Sequence, residues 1–378
     1  MNSIQKILIV GGGIAGLTAT VALRQVGFEV DVAELNPQWS VYGVGIIQQS
    51  NALRALDAIG LAEKCVTAGY PQDNARFYDS QGHFLFEVPQ PPLAGPKYPP
   101  ANGITRPRLH TILQEAVRES GATIRLGLTV SALEQTDAAV TVTFSDGTSA
   151  QYDLVVGADG IRSVIRGLVF GSEYQPMYIG QMAWRCNVPR LPEVTTAWLF
   201  EGGKIGRAGF IPLAPDLMYI LLVETPPPGA PPRLPENRLA AAYRELLAPF
   251  GGPVAEVRDR DITPSSEVVY RPFETLLLPP PWYQGRVVLI GDAAHSMTAH
   301  IAQGAAMAIE DAVVLAEELA TRAPLSDTLN RFMQRRYKRC KTMVDISSQI
   351  SRWEQDHVTD ADVGGLTRKS FEVAAQPI

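Results

Sequence analysis

Apolar and polar positions alternate in a way that predicts most of the regular elements of this chain. Ile7-Leu-Ile-Val10 is an apolar run that ends directly in Gly11-Gly-Gly-Ile-Ala-Gly16. Residues 17–26 carry the small-residue, amphipathic pattern of a helix, Gly27 closes it, and Val30-Asp-Val-Ala-Glu34 predicts a second strand. A loop is expected over 36–42, then the segment Gly43-Val-Gly-Ile-Ile-Gln-Gln-Ser-Asn51. Leu53, Leu56 and Ile59 mark a helix over 52–61 that ends at Gly60. Residues 77–88 alternate around Ser80-Gln-Gly82 and predict a hairpin. The proline-rich stretch 89–100 predicts a surface connection.

A helix is expected to open at Ile104-Thr-Arg106-Pro-Arg-Leu109 and run to about Glu119. Short strands follow at 122–126 and 130–134. A second hairpin pairs 140–144 with 150–153, and the apolar strand 154–157 ends in Ala158-Asp-Gly160. Over 174–283 helical periodicity is mostly lost. Strand-like runs at 182–188, 195–200 and 218–223 dominate there, with one helix near 237–247. Arg286-Val-Val-Leu-Ile290 restores the buried-strand pattern and feeds Gly291-Asp-Ala-Ala-His295. Two helices are expected over 303–322 and 325–349, and the chain beyond them carries little pattern.

These elements predict the α/β class with an α+β insert. A Rossmann-like nucleotide-binding domain is expected in three parts (1–72, 101–173 and 284–322). A mixed sheet domain (174–283, with a contribution from 73–100) is inserted into it, and C-terminal helices (323–378) follow. The first βαβ unit carries the chemistry. Gly11 allows a sharp turn off the strand, Gly13 leaves room for a pyrophosphate, and Gly16 lets the helix approach the sheet. The helix N-terminus offers free N–H groups to phosphate. Glu34, 18 residues beyond Gly16, is placed for a ribose diol. The bland reading is a glycine-rich turn that binds nothing; strand, helix and distal acid together argue against it.

Composition narrows the function classes. Hydrophobic residues make up 46% and charged residues 19%, with a net charge of −6, which argues against a nucleic-acid binder. Cys65, Cys186 and Cys340 show no metal spacing, so neither disulfide nor metal site is expected, and a reducing cytoplasm fits. No signal peptide or membrane span is expected.

Two further segments point to a flavin. Asp159, just past a buried strand, can hold ribityl hydroxyls or the amides that line a phosphate, although an Asp-Gly turn alone is common. Asp292 ends a strand, and Gln303-Gly304-Ala305 opens a helix whose N-terminus suits the negative edge of a reduced isoalloxazine. In this order and spacing, the three segments resemble the class A flavoprotein monooxygenases typified by p-hydroxybenzoate hydroxylase. The likeness runs from Lys6 to about Arg339 and includes the Ile104-x-Arg106-x-x-Leu109 helix start and Arg335-Arg-x-x-Arg339.

The resemblance implies that Ala15 and Gly16 approach the FAD pyrophosphate and that Glu34 binds the adenosine ribose. Leu35 and Val130 would contact the adenosine end through backbone. Arg106 would pair with the diphosphate, Asp292 would hold the ribityl chain, and Gly304 and Ala305 would cap the ring beside Gly45, Ile46 and Ile47. Asp159 would serve both FAD and NAD(P)H. NAD(P)H would reduce the flavin, and a C4a-hydroperoxide formed from O2 would hydroxylate a small electron-rich aromatic or heteroaromatic compound.

The chain departs from the family pattern at Ala299, where proline is usual, and at Ala302, where glycine is frequent. It is similar there to the 6-hydroxynicotinate and salicylate hydroxylases. A histidine of the pyridine-hydroxylating relatives falls at Ile47. Candidate pocket residues are His300, Arg185, Tyr219 and Gln48; for each the alternative is structural, a core contact, an interface salt bridge or a loop hydrogen bond. Two other readings compete with hydroxylation. One is a flavin reductase or halogenase, although the Trp-x-Trp-x-Ile-Pro signature is absent; the other is a binding protein that has lost its flavin. A monomer or homodimer is expected.

Overall fold

A computed structural model describes residues 4–41, 43–202 and 206–378, so Tyr42, the end of the expected loop, lies outside the described residues. The predicted βαβ unit forms as strand Lys6–Val10, helix Ile14–Gln25 and strand Glu29–Glu34. It sits at the heart of a six-stranded sheet. Leu154–Gly157 and Glu29–Glu34 flank Lys6–Val10 in parallel, and Val287–Leu289 and Thr123–Leu126 extend the two sides. The four strands nearest the centre are buried through their apolar runs, as a sheet covered on both faces requires.

The 174–283 region forms most of a seven-stranded sheet, and the predicted hairpin (strands Asn74–Asp79 and Phe84–Pro89) completes its edge. All neighbours are antiparallel except Ala197–Glu201 against Asn74–Asp79. Several strands escaped the sequence pattern, among them Arg207–Ala214 and Val268–Thr275 in this sheet, and Ala101–Thr105, which pairs with Gly45–Gln49 and Tyr70–Gln72 in a small third sheet that was not expected at all. Helices Gly252–Asp261 and Val363–Ala375 also lacked a legible apolar face. No helix among the described residues is long and apolar enough to cross a membrane.

Helix Gly304–Ala320 is fixed by a buried ionic cluster. Asp311 accepts hydrogen bonds from the Gly291 N–H (2.9 Å), His295 Nε2 (2.6 Å) and Arg336 Nε (2.7 Å). Glu310 accepts from Arg336 Nη1 and Arg339 Nε (2.7 Å each) and from Asn51 Nδ2 (3.0 Å). Arg339 also donates to the carbonyl oxygens of Val373 and Ala374, tying in the C-terminal helix. Burial opposes the charge on Asp311, but His295 and Arg336 outweigh it and hold the carboxyl down at about 2. His295, Asp311 and Cys340 lie close enough to share a metal, although the sequence spacing gave no sign of it. The guanidinium of Arg336 already fills that cationic role, 3.5 Å from Cys340 Sγ.

Removing one member of such a cluster strands the others. Arg336→Met is expected to destabilise the protein by about 3–5 kcal/mol in denaturant unfolding; a loss under about 1 kcal/mol contradicts this account. Because the folded pKa of Asp311 is depressed, its contribution is present above the unfolded value and fades as pH falls toward about 2. Between pH 5 and pH 3 the wild type should therefore lose more stability than Asp311→Asn.

Candidate active site

The three glycines of the first turn have three distinct reasons. Gly11 has φ +108°, and a Cβ there would lie 2.4 Å from the Ala158 carbonyl oxygen. At Gly16 a Cβ would lie 1.9 Å from the Gly11 carbonyl oxygen, so only glycine lets the helix seat on the turn. Gly13 is different: a Cβ would meet nothing within 4 Å, because the residue faces a cavity. Glu34 accepts the N–H groups of Gly12 (2.6 Å) and Asn36 (2.7 Å), so the acid at the strand end also holds the turn. Glu34, the exposed Leu35 and the buried Val130 lie outside the cavity lining.

The cavity, about 690 Å³, begins at Gly13, Ile14 and Ala15 and passes Gly160 and Asp292. It continues between Gly45, Ile46 and Ile47 on one side and Gly304 and Ala305 on the other. It ends on the inner face of the seven-stranded sheet, where Arg185, Tyr219 and Leu221 line it. Gln49 and Gln303 set the middle section. Gln303 Nε2 donates to Gln49 Oε1 (2.6 Å), and Gln49 Nε2 donates to the Ile301 carbonyl (2.9 Å). The start of the long helix is thereby held against the strand Gly45–Gln49.

Five polar side chains in this cavity make no hydrogen bond or ion pair to any described residue: Gln90 near the hairpin, and Arg106, Asp292, Arg185 and Tyr219. Arg106 is surrounded by protein yet open to the cavity, and burial together with Arg185 lowers its pKa. Burial raises Asp292, against the pull of His295 and Arg106. Burial also raises the Tyr219 hydroxyl, with Arg185 and Arg106 pulling the other way. An unpaired guanidinium and an unpaired carboxylate beside an open glycine turn fit the diphosphate and sugar hydroxyls of FAD.

The other candidates are placed differently. Strand alternation turns Gln48 away from the cavity, where its Oε1 accepts from Asn102 Nδ2 (2.9 Å). Gln48 is therefore no pocket residue, and its neighbour Gln49 takes that position. The Asp159 carboxylate caps the helix Val164–Phe170, accepting from Ser163 Oγ (2.5 Å) and the Val164 N–H (2.7 Å), while Ala158 and Gly160 line the cavity. His300 lines the cavity with both ring nitrogens engaged, Nδ1 by Thr298 Oγ1 (2.7 Å) and Nε2 by Glu354 Oε2 (3.1 Å). Burial would raise Glu354, but His300 and Arg207 hold it below the usual range.

Arg207 and Glu354 line the cavity without any motif to announce them, because their partners are distant in the chain. The terminal helix contributes Val363, Thr367 and Phe371, spaced four apart on one face. The family departures also have a local reading. Ala299 begins a short 3₁₀ turn, where the fixed φ of proline also fits. Ala302 has φ +50°, a left-handed conformation that favours glycine and costs alanine about 1–2 kcal/mol.

The comparisons with known proteins agree with this geometry. The family model described as FAD binding domain matches residues 5–347. A putative FAD-dependent monooxygenase, YetM, of Bacillus subtilis (strain 168) is 34% identical over 92% of this chain and 93% of its own length. The 2-heptyl-3-hydroxy-4(1H)-quinolone synthase of Pseudomonas aeruginosa (strain UCBPP-PA14) is 35% identical over 92% and 90%. Among solved structures, Klebsiella pneumoniae HpxO complexed with FAD and uric acid superposes with a TM-score of 0.83 at 25% identity, covering 99% of this chain and 93% of that one. The chain belongs to the FAD binding domain family and is an FAD-dependent monooxygenase.

Proposed function

We propose that the protein hydroxylates an electron-rich heteroaromatic ring bound on the inner face of the seven-stranded sheet, using NAD(P)H and O2. The observation that carries this reading is the pair Arg185 and Tyr219, both without a hydrogen-bond or ion-pair partner among the described residues, in the same cavity as Gly304 and Ala305. The relatives named for a quinolone and the structure holding uric acid support the same ring class.

In this reading Gly13, Arg106 and Asp292 hold the cofactor. When bound, FAD supplies electrons taken from NAD(P)H and an electrophilic oxygen atom taken from O2. The positive end of helix Gly304–Ala320 faces the cavity and stabilises negative charge there. Burial keeps the Tyr219 hydroxyl protonated, so it donates a hydrogen bond to an oxygen on the ring. Arg185 favours the deprotonated form of that ring oxygen, which pushes electron density into the ring and prepares it for attack. Ile46, Ile47 and Ile211 keep water from the reacting face. His300 positions Glu354 and the turn beside Gly304 through its two hydrogen bonds. The domain boundaries expected from the sequence are part of this proposal: one unit holds the cofactor and the inserted sheet holds the ring.

Three outcomes test the proposal. Asp292→Ala should purify folded but bind FAD about 10- to 150-fold more weakly, the range for losing a charged hydrogen bond. FAD affinity equal to wild type, by fluorescence titration, would remove Asp292 from the site. Arg185→Met should retain FAD yet raise KM for the ring by a similar factor; an unchanged KM, or loss of FAD, assigns Arg185 elsewhere. Finally, NAD(P)H oxidation should accelerate with hydroxylated quinolones or purines without matching H2O2 release. A protein that makes only peroxide with every heteroaromatic compound points instead to a reductase or oxidase.

A further inference from the structure

The substrate half of the cavity is not shaped for a compact polar ring alone. Strand register defines a row across the sheet, with Arg185 opposite Leu221, Leu221 opposite Gly209, Gly209 opposite Leu199 and Leu199 opposite Phe77. The neighbouring row runs Tyr219, Ile211, Ala197, Ala75 and Val88. The two rows point to the same face because side chains two residues apart share a face.

Within these two rows the polar side chains are Arg185 and Tyr219, at one end; Arg207, two residues from Gly209 on the same face, borders the rows with its charge paired to Glu354 (3.2 Å). Beyond them the two rows are apolar: Leu199 and Leu221 close over Gly209, and at Ala197 and Ala75 the rows are built from small side chains that line the cavity. Those small residues form a trough walled by Leu199, Leu221 and Phe77, and Phe77 is braced by a stacked Phe86 at 4.6 Å. From the strand of Leu221 to that of Phe77 is three strand spacings, about 14 Å. The trough opens at the hairpin edge, where Val88 is 40% and Phe86 50% exposed.

We infer that the ring carries a flexible apolar chain several carbons long, which lies in this trough and points toward the Phe84–Pro89 edge. The inference rests on the proposed ring site, because Arg185 and Tyr219 hold the head from which the chain extends. A small hydroxylated acid would leave the trough empty, with its apolar walls facing water. An alkyl chain converts the same surface into buried contact and fixes which ring edge faces Gly304. The open end implies that affinity levels off with length rather than stopping sharply, since further methylenes emerge at an exposed apolar edge.

The test is a chain-length series on the FAD-loaded protein. 4(1H)-Quinolones carrying methyl, propyl, pentyl or heptyl groups at the 2-position are titrated by the perturbation of flavin absorbance. Each methylene that enters the trough should tighten Kd roughly fourfold, equivalent to about 0.8 kcal/mol. Ala197→Phe, and separately Ala75→Leu, should flatten the series so that the heptyl and methyl compounds bind alike. Equal affinities along the wild-type series, or no binding at any chain length, would overturn the inference. A series that keeps its full slope in both filled variants would also overturn it. Product analysis of the same samples separates the two proposals. Chain-dependent binding without ring oxygenation sinks the hydroxylase reading and leaves the trough, whereas oxygenation at equal affinity for every chain sinks the trough alone.

Discussion

The arrangement depends on how four charged side chains are buried together beneath the cavity. Glu310, Asp311, Arg336 and Arg339 are almost wholly excluded from water, and such charges persist only when each is matched and hydrogen-bonded. Here the matching is also mechanical. Asp311 binds the backbone of Gly291 and the ring of His295, which fixes the loop that carries Asp292. Glu310 reaches Asn51, and through Asn51 and Gln303 the strand Gly45–Gln49 is registered against the start of the same helix. One cluster thus sets the separation between the two walls of the middle cavity.

From that base the two sheets divide the remaining work. The parallel sheet brings the glycine turn and Asp292 to the carboxyl ends of its strands, where open α/β folds bind nucleotides. The antiparallel sheet supplies a broad face whose chemistry is set strand by strand, polar beside Arg106 and apolar toward the hairpin. Specificity can therefore change through side chains on the second sheet without disturbing the ionic cluster or the turn.

The nucleotide-binding half was legible because its signals are local. A strand, three glycines and an acid lie within 29 residues; Gly11 and Gly16 have steric reasons that hold in three dimensions, and Gly13 opens onto the cavity. The second half was legible only in outline. Arg207–Ala214 and Ala101–Thr105 are buried almost throughout, so they lack the alternation that marks a half-buried strand. The face that helix Val363–Ala375 turns to the cavity includes Thr367, which blurs its apolar stripe. Gln48 shows the sharpest limit: in a strand, a displacement of one residue exchanges the two faces, and composition cannot tell Gln48 from Gln49. Glu354, His300 and Arg207 meet across more than one element, so no spacing along the chain announces them.

Everything in the cavity serves the transfer of oxygen from O2 into a ring. Turnover under isotopically labelled O2 in unlabelled water, with mass analysis of the aromatic product, tests it most directly. One labelled oxygen atom is expected in each hydroxylated product, with NAD(P)H consumed in equal amount. Product that takes its oxygen from water, or labelled oxygen recovered only as peroxide, would contradict it.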